Sequence, residues 1–242
     1  MNKEEKVKKL VIFTDFDGTI SRMDLGDAIF VELGQFEPNH SKFIAGEMTI
    51  TDYWTSACET LREGTREEDI VRFAEAKEID AYFARFVEYC REQEIPLSVI
   101  SDGFETYIRA FLRKHGIEDL PRLCNHFDFS GGGVIPVFPY KTDSCECGSA
   151  VCKRNAIIAK TDPDAVIVFI GDGYSDFCAA KHSDIVFAKN GLAAFCNANK
   201  IPHYPYSTFF DVLRILKKIV ETGKIKTRNS AHLLRKKAFE TE

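Results

Sequence analysis

Asp15-Phe16-Asp17-Gly18-Thr19 follows the apolar run Leu10-Val11-Ile12-Phe13, with Thr14 between the two stretches. The apolar run predicts a buried strand, and successive side chains of a strand point to opposite faces. Asp15 and Asp17 are therefore expected on one face where the strand ends, with Phe16 pointing into the core. Gly18 lets the chain turn and approach a ligand closely. The stretch predicts a site where two carboxylates with different roles meet one small anion.

Two further apolar runs end in the same way, in small or acidic residues that precede a helical pattern. Residues 97–100 run into Ser101-Asp102-Gly103, and residues 166–170 run into Gly171-Asp172-Gly173-Tyr174-Ser175-Asp176. From residue 97 onward strands and helices alternate, which predicts a parallel sheet with crossover helices. Ligands of open α/β sheets bind at the carboxyl ends of the strands. The three turns are therefore expected to converge.

Between the first and second of these strands the pattern is helical throughout. Helices are predicted over residues 24–33, 38–45 and 51–63, from Thr65 with Glu68 completing a capping box, and after Asp80. We predict an α/β core of residues 1–22 and 94–223, and a helical cap of residues 23–93. Residues 224–242 are basic and are predicted to form a poorly packed tail.

The remaining elements of the core follow from periodicity and turn residues. A hairpin is predicted because two strand-like segments flank the glycine run 131–133. The predicted helices are 105–115, 151–160, 174–182 and 207–222, and the predicted strands are 124–130, 134–138 and 185–188.

Composition limits the classes of partner. The 242 residues are 45% hydrophobic and carry a net charge of −5, which gives no general attraction to nucleic acid or to an anionic membrane. No apolar run approaches the roughly 20 residues that span a bilayer, and no hydrophobic signal segment follows the charged start of the chain. We expect a cytoplasmic protein, monomeric or homodimeric, whose eight cysteines are reduced thiols.

Four acidic side chains of the first and third turns would repel one another unless a cation lay between them. They are Asp15, Asp17, Asp172 and Asp176. Mg²⁺ binds carboxylates, water and phosphate oxygens, so the turns predict a Mg²⁺ site that also binds a phosphoryl group. The alternative is a tight turn that opens a helix, with Asp172 or Ser175 as its cap.

Phosphoryl transfer requires an in-line nucleophile and a proton for the leaving oxygen. Asp15 can attack and form an aspartyl-phosphate. Asp17 can be the general acid for the leaving alkoxide and then the base for the attacking water.

The phosphoryl oxygens also need donors and a balancing positive charge. Ser101 can donate its hydroxyl, and Asp102 or Gly103 a backbone N–H. Lys153 is the first candidate for the charge, because it lies at a predicted helix N-terminus where anions are favoured. Its competitors are Lys141 and Lys160.

Taken together, D-F-D-G-T-I at 15–20, S-D-G at 101–103, a helix-borne lysine and G-D-G-Y-S-D at 171–176 resemble the haloacid dehalogenase (HAD)-like phosphatase superfamily. The resemblance covers residues 10 to about 190. It implies a Rossmannoid parallel sheet flanked by helices, with a small helical-bundle cap inserted after the first strand. It also implies that Asp15 is the nucleophile, Asp17 the acid and base, Ser101 the phosphate binder and Lys153 the charge partner. Mg²⁺ would be held by Asp15, the Asp17 carbonyl and Asp172, with Asp176 in support.

A narrower resemblance concerns the substrate, a small phosphorylated metabolite. Residues 147–153, the hairpin at 124–139 and Asp24 are similar to a subgroup with two known kinds of phosphatase. One acts on 2-hydroxy-3-keto-5-methylthiopentenyl-1-phosphate, the other on phosphoethanolamine and phosphocholine. Asp24 is expected to bind substrate and to disfavour a highly anionic tail. Phosphoserine stays an alternative, although Arg22, Arg62 and Arg66 lie in no recognisable carboxylate-binding motif.

Two alternative functions are open to the same residues, and three cysteines lie close together in the sequence. A phosphotransferase would use the same residues, whereas a non-catalytic phosphate-binding protein would usually lack one of them. Cys145, Cys147 and Cys152 lie within eight residues. A zinc site needs a fourth ligand, and because the sequence contains no C-x-x-C pair to supply it, a loop of reduced thiols is the favoured interpretation.

Overall fold

A computed structural model of the chain describes residues 9–223 and 225–240. Seven strands form one sheet: β1 (Leu10–Thr14), β2 (Leu97–Phe104), β3 (Arg122–Asp128), β4 (Ile135–Val137), β5 (Val166–Gly171), β6 (Ile185–Ala188) and β7 (Tyr204–Pro205). Their order across the sheet is β4-β3-β2-β1-β5-β6-β7. Neighbours run parallel except β3 and β4, which form the predicted antiparallel hairpin.

Strand β1 lies at the centre of the sheet, between β2 and β5. In its register Thr14 pairs with Val99 on one side and with Ile170 on the other. The carboxyl ends of the three strands that carry the acidic turns are therefore neighbours, where open α/β sheets bind ligands. The predicted α/β fold with a parallel sheet is confirmed.

Five helices connect β1 to β2: α1 (Leu25–Leu33), α2 (Asn39–Ile44), α3 (Ile50–Glu59), α4 (Glu67–Glu75) and α5 (Phe83–Glu92). The predicted capping box of Thr65 and Glu68 is wrong. The N-cap of α4 is Arg66, whose backbone N–H donates to Asp69, while the Thr65 hydroxyl donates to the Arg62 carbonyl oxygen. Helix α4 therefore begins at Glu67, one residue later than an N-cap at Thr65 would predict.

Aromatic packing joins these inserted helices to the rest of the molecule. The Trp54 ring of α3 meets Phe104, the last residue of β2, edge to face at a centroid distance of 5.3 Å. The Phe83 ring of α5 meets Phe209 at 4.7 Å. Pairs of this kind contribute about 0.5–1.5 kcal/mol beyond the area they bury. The division into a core and a cap of residues 23–93 stays a prediction.

The other helices are α6 (Glu105–Lys114), α7 (Lys153–Ala159), α8 (Phe177–His182), α9 (Asn190–Ala198), α10 (Phe209–Thr222) and α11 (Asn229–Glu240). A 3₁₀ turn, Tyr174–Asp176, leads directly into α8. Helix α9 and strand β7 were not predicted from the sequence. In α9 only Leu192 and Cys196 are buried, so the sequence carries little of the apolar periodicity that marks a helix.

The prediction of a poorly packed tail is wrong, because helix α11 packs against α8. Its Ala231 and Ala238 are buried and lie seven residues apart on one face. Two basic residues contact the buried Asp184: the Arg228 backbone N–H donates to it, and Arg235 pairs with it at 3.1 Å. Net charge alone therefore gave a misleading view of this segment.

None of the helices in the described part of the chain combines the length and the apolar composition needed to cross a bilayer.

Candidate active site

Asp15 is the first residue after β1 and points into a buried cluster of charges. Its Oδ1 lies 2.7 Å from Lys153 Nζ. Phe16 is fully buried in the core, as the alternation of the strand predicted. Carboxylate oxygens of Asp15, Asp172 and Asp176 all lie within 4.8 Å of one another. The first and third turns thus converge as expected.

Gly18 allows the close approach of these two turns. Its φ is +69°, and a Cβ added there would lie 2.7 Å from Asp172 Oδ2. The hydroxyl of the following residue, Thr19, donates to Asp172 Oδ1 at 3.1 Å. A glycine is required on both counts, since left-handed backbone and lack of space each disfavour a side chain.

Asp176 organises the third turn and has both carboxylate oxygens engaged. Oδ1 pairs with Lys153 Nζ at 2.6 Å, and Oδ2 accepts from the backbone N–H groups of Asp172 and Gly173 at 2.8 and 3.0 Å. These contacts make Asp176 a support for the turn. Asp15 and Asp172 are the carboxylates best placed to hold a cation.

Lys153 is the first residue of α7, and its side chain is completely buried. Besides the two carboxylates, its Nζ donates to Ser175 Oγ at 2.9 Å. Burial lowers the pKa of Lys153, but Asp15 and Asp176 raise it well above its ordinary value, so the ammonium is charged. Its competitors lie elsewhere: Lys141 donates to Thr51 Oγ1, and Lys160 is exposed at the end of α7.

Lys153 contacts Asp15 and Asp176 directly, and Lys189 lies near enough to Asp172 to lower the pKa of that carboxyl, so two lysines oppose three carboxylates. Burial and the negative charge of Asp176 raise the pKa of Asp15 well above its usual range, although Lys153 opposes this. Burial and Asp176 likewise raise the pKa of Asp172. A divalent cation would favour the charged carboxylates, and their hard oxygen ligands suit it.

The Asp17 carboxylate lies apart from this cluster, so three side chains converge rather than the four expected. Its Oδ1 accepts from the Leu25 backbone N–H at 2.8 Å, and its Oδ2 accepts from the Tyr107 hydroxyl at 2.8 Å. The N-terminus of α1 and the Tyr107 side chain of α6 thus orient it away from the other carboxylates. Partial burial raises the pKa of Asp17 to about 6, against the lowering effect of both hydrogen bonds. A group of this pKa can donate or accept a proton near neutral pH.

Tyr107 is a site residue that the sequence analysis missed. It is buried on α6, and its ring packs with Phe16 and Phe104. From the sequence it resembles any other core aromatic. The structure places it one helical turn after Gly103, where a Cβ added to the glycine would collide with the Tyr107 hydroxyl.

Ser101-Asp102-Gly103, the second predicted turn, is instead part of β2, whose pairing with β3 is irregular between Ile100 and Phe104, and it lies beside the same cluster. Ser101 is buried, and its Oγ accepts from the Gly103 backbone N–H at 2.9 Å. A hydroxyl that accepts can still donate its proton. Because the Gly103 N–H is engaged, the Asp102 N–H is the better backbone candidate. The Asp102 carboxylate accepts from the Val151 N–H at 2.7 Å, so it ties the second turn to the segment before Lys153.

The side of the site formed by the inserted helices is acidic and aromatic. Asp24 is exposed at the N-terminus of α1, where its Oδ1 accepts from the Asp27 N–H at 2.8 Å. Asp27 in turn accepts from the Tyr53 hydroxyl at 2.6 Å. A Cβ added at Gly26, between the two acids, would meet the Trp54 ring at 2.7 Å.

Two of the candidate arginines are engaged elsewhere. Arg22 pairs with Glu78 at 2.9 Å, and both side chains are exposed. Arg62 donates to the Glu32 carbonyl oxygen at 2.7 Å. Neither of these contacts supports a clamp on a substrate carboxylate.

Comparison with known proteins agrees with this geometry. The family model described as Putative Phosphatase matches residues 9–204. The 2-hydroxy-3-keto-5-methylthiopentenyl-1-phosphate phosphatase of Brevibacillus brevis is 32% identical over 216 residues, which cover 88% of this chain and 97% of that protein.

Solved structures show the same fold. A substrate-bound phosphoserine phosphatase complex superposes with a TM-score of 0.66 at 18% identity, covering 87% of this chain and 99% of that one. Phosphoserine phosphatase from T. onnurineus superposes with a TM-score of 0.64 at 17% identity, covering 90% and 98%.

Proposed function

This chain belongs to the Putative Phosphatase family, within the HAD-like phosphatases, and from that premise we propose which residues carry its reaction and which substrate it takes. It is a phosphoric monoester hydrolase. We assign these roles because the carboxylates of Asp15, Asp172 and Asp176 lie together, and two of them, Asp15 and Asp176, contact the buried Lys153.

Magnesium fits this cluster. The ligands available are hard carboxylate oxygens, and the three acids outnumber the two lysines near them, Lys153 and Lys189. In our proposal Asp15, the Asp17 backbone carbonyl and Asp172 hold Mg²⁺, and Asp176 supports the turn. When bound, Mg²⁺ supplies positive charge to the phosphoryl oxygens.

The protein's own residues carry out two steps. Asp15 attacks phosphorus, the bond to the leaving oxygen breaks, and Asp17 gives that oxygen its proton. Asp17, now a carboxylate, then takes a proton from water, and the resulting hydroxide displaces the phosphoryl group from Asp15. Throughout, the Ser101 hydroxyl and the Asp102 N–H bind the phosphoryl oxygens, and Lys153, whose three N–H donors already contact Asp15, Ser175 and Asp176, balances their negative charge.

Asp24 and Asp27 support a substrate whose tail is neutral or positively charged. Two acids beside the site disfavour a carboxylate, and Arg22 and Arg62 are engaged elsewhere. We propose 2-hydroxy-3-keto-5-methylthiopentenyl-1-phosphate, which the Brevibacillus brevis relative is named for. The Trp54 ring suits a thioether, since sulfur packs favourably on aromatic rings. Phosphoethanolamine is the second candidate, because an ammonium would pair with the acids.

The direct test compares kcat/KM for these two substrates and for phosphoserine in the presence of Mg²⁺. We expect phosphoserine to be the poorest. Asp24→Asn should reduce the difference in kcat/KM between phosphoserine and the other substrates, because it weakens the repulsion of the carboxylate. Asp162→Asn, which changes an exposed acid before the amino end of β5, should leave that difference unchanged. Preference for phosphoserine in the wild type would contradict the proposed substrate.

The same assay separates hydrolysis from phosphotransfer. Free phosphate should equal the alcohol released even when acceptor alcohols are added. A shortfall in phosphate would indicate transfer. We further propose that the enzyme acts in the cytoplasm on a free metabolite.

A further inference from the structure

Four cysteines converge next to the active site without belonging to it. Three lie in the segment between β4 and α7, residues 138–152, and the fourth, Cys178, lies on α8. The Sγ atoms of Cys145, Cys147 and Cys178 are all within 4.8 Å of one another. The Sγ atom of Cys152 lies 3.8 Å from that of Cys147 but outside this group of three, since it is not within 4.8 Å of all of them. The fold thus supplies the fourth thiol that the sequence analysis lacked.

The distances suit a shared metal ion better than a disulfide. Cys145 Sγ and Cys178 Sγ are 3.4 Å apart, and Cys147 Sγ and Cys152 Sγ are 3.8 Å apart. Four sulfurs at Zn–S bonds of about 2.3 Å in a tetrahedron lie about 3.8 Å from one another. A disulfide requires about 2.05 Å.

The surroundings also suit an anionic metal centre. Four thiolates around Zn²⁺ leave a net charge of −2, and Arg154 and Lys181 line the same cavity as Cys145, Cys147 and Cys178. Thiolates are soft ligands that select zinc, whereas Mg²⁺ prefers oxygen. The two clusters therefore differ in the metal they would take.

We propose that Cys145, Cys147, Cys152 and Cys178 bind one structural zinc ion. Four protein ligands close the coordination sphere, which is the pattern of structural rather than catalytic zinc. The site goes beyond the proposed phosphatase reaction and does not depend on the identity of the substrate.

The position of the four ligands indicates what the ion does. Cys152 immediately precedes Lys153, and Cys178 follows Asp176 by two residues. Lys153 and Asp176 form a 2.6 Å ion pair in the active site. The segment 138–152 contains no helix or strand. Zinc bound here would tie this segment to α8 and hold the two charged residues at their contact distance.

The test begins with the full chain, expressed, reduced and passed through a desalting column. Metal analysis should find about one zinc per chain. After exchange with Co²⁺, sulfur-to-cobalt charge-transfer absorption should appear in the near ultraviolet, which carboxylate ligands cannot produce. Protein without zinc and without this absorption after Co²⁺ addition would overturn the proposal. So would a Cys145–Cys178 disulfide in the freshly isolated protein by mass spectrometry.

Variants locate the ion. Cys145→Ala and Cys178→Ala should lose zinc and the cobalt absorption, whereas Cys58→Ala, which removes a buried thiol of α3, should keep both. Zinc retained at wild-type stoichiometry by both cluster variants would overturn the assignment. Should the cluster variants fail to fold, the cobalt spectrum of the wild type still decides the question. A phosphatase with no zinc would leave the proposed reaction intact, so the two proposals fail separately.

Discussion

Lys153 and Asp15 form a buried ion pair, with Nζ 2.7 Å from Oδ1, although 138 residues separate them in the chain. The pair joins the N-terminus of α7 to the end of β1. Because Lys153 also contacts Asp176, one ammonium links two of the three acidic turns. Removing one partner of a buried pair leaves an uncompensated charge and costs about 3–5 kcal/mol.

Lys153→Met should therefore lower both activity and stability. We expect kcat to fall by about 100-fold or more, as when a donor to developing charge is lost. The free energy of unfolding, measured by urea denaturation, should fall by about 3 kcal/mol. Lys141→Met is the control, since Lys141 Nζ contacts a threonine hydroxyl. Equal activity in the two variants would rule out Lys153 as the charge partner.

Gly18→Ala tests the contact between the first and third turns. The added methyl group would displace the Asp172 carboxylate, so the Mg²⁺ concentration for half-maximal activity should rise markedly. Gly116→Ala is a matched control, because Gly116 has a similar φ of +71° but open space around it. It should cost only about 1–2 kcal/mol of stability. If both variants required the same Mg²⁺ concentration, Asp172 would not be a ligand.

Tyr107→Phe tests the acid role of Asp17. The Tyr107 hydroxyl donates to the charged carboxylate and so lowers its pKa, which stands at about 6. Without this donor the pKa rises, and the protonated form persists to higher pH. The descending limb of the kcat–pH profile should therefore move to higher pH. Tyr53→Phe, which removes a donor to Asp27 instead, should leave the limb in place. If the descending limb of the kcat–pH profile did not move in Tyr107→Phe, the role of Asp17 as the general acid would be contradicted.

Stabilisation by Mg²⁺ should increase with pH. Burial raises the folded-state pKa values of Asp15 and Asp172 above those of the unfolded chain. In metal-free protein these carboxyls bind more protons when folded, so their contribution to stability falls as pH rises above about 4. Mg²⁺ relieves this repulsion most where the acids are charged. The rise in melting temperature on adding Mg²⁺ should be larger at pH 7 than at pH 5. Asp172→Asn should make this rise smaller at pH 7.

The fold was predictable because its signals are local. The apolar residues of β1, β2 and β5 are each followed by a short acidic segment, which in β2 still belongs to the strand, and a parallel arrangement brings such segments together. The positions of Asp15, Ser101 and Asp172 at the carboxyl ends of these strands follow from this, whereas Lys153 was expected from its place at the start of a helix.

Other features depend on contacts that no local pattern carries. Tyr107 and Cys178 are indistinguishable in sequence from core residues until the fold brings them to Asp17 and Cys145. Helix α11 packs because the buried Asp184 accepts its basic partners. Each of these depends on a partner distant in sequence.

The central claim is that Asp15 becomes phosphorylated. Enzyme mixed with a radiolabelled phosphomonoester and Mg²⁺, quenched in acid within one turnover and digested, should yield a labelled peptide whose phosphoryl group lies on Asp15. Asp17→Asn, which cannot activate water, should accumulate more label with a good leaving group. Absence of label in that variant, or label on a residue other than Asp15, would contradict the mechanism.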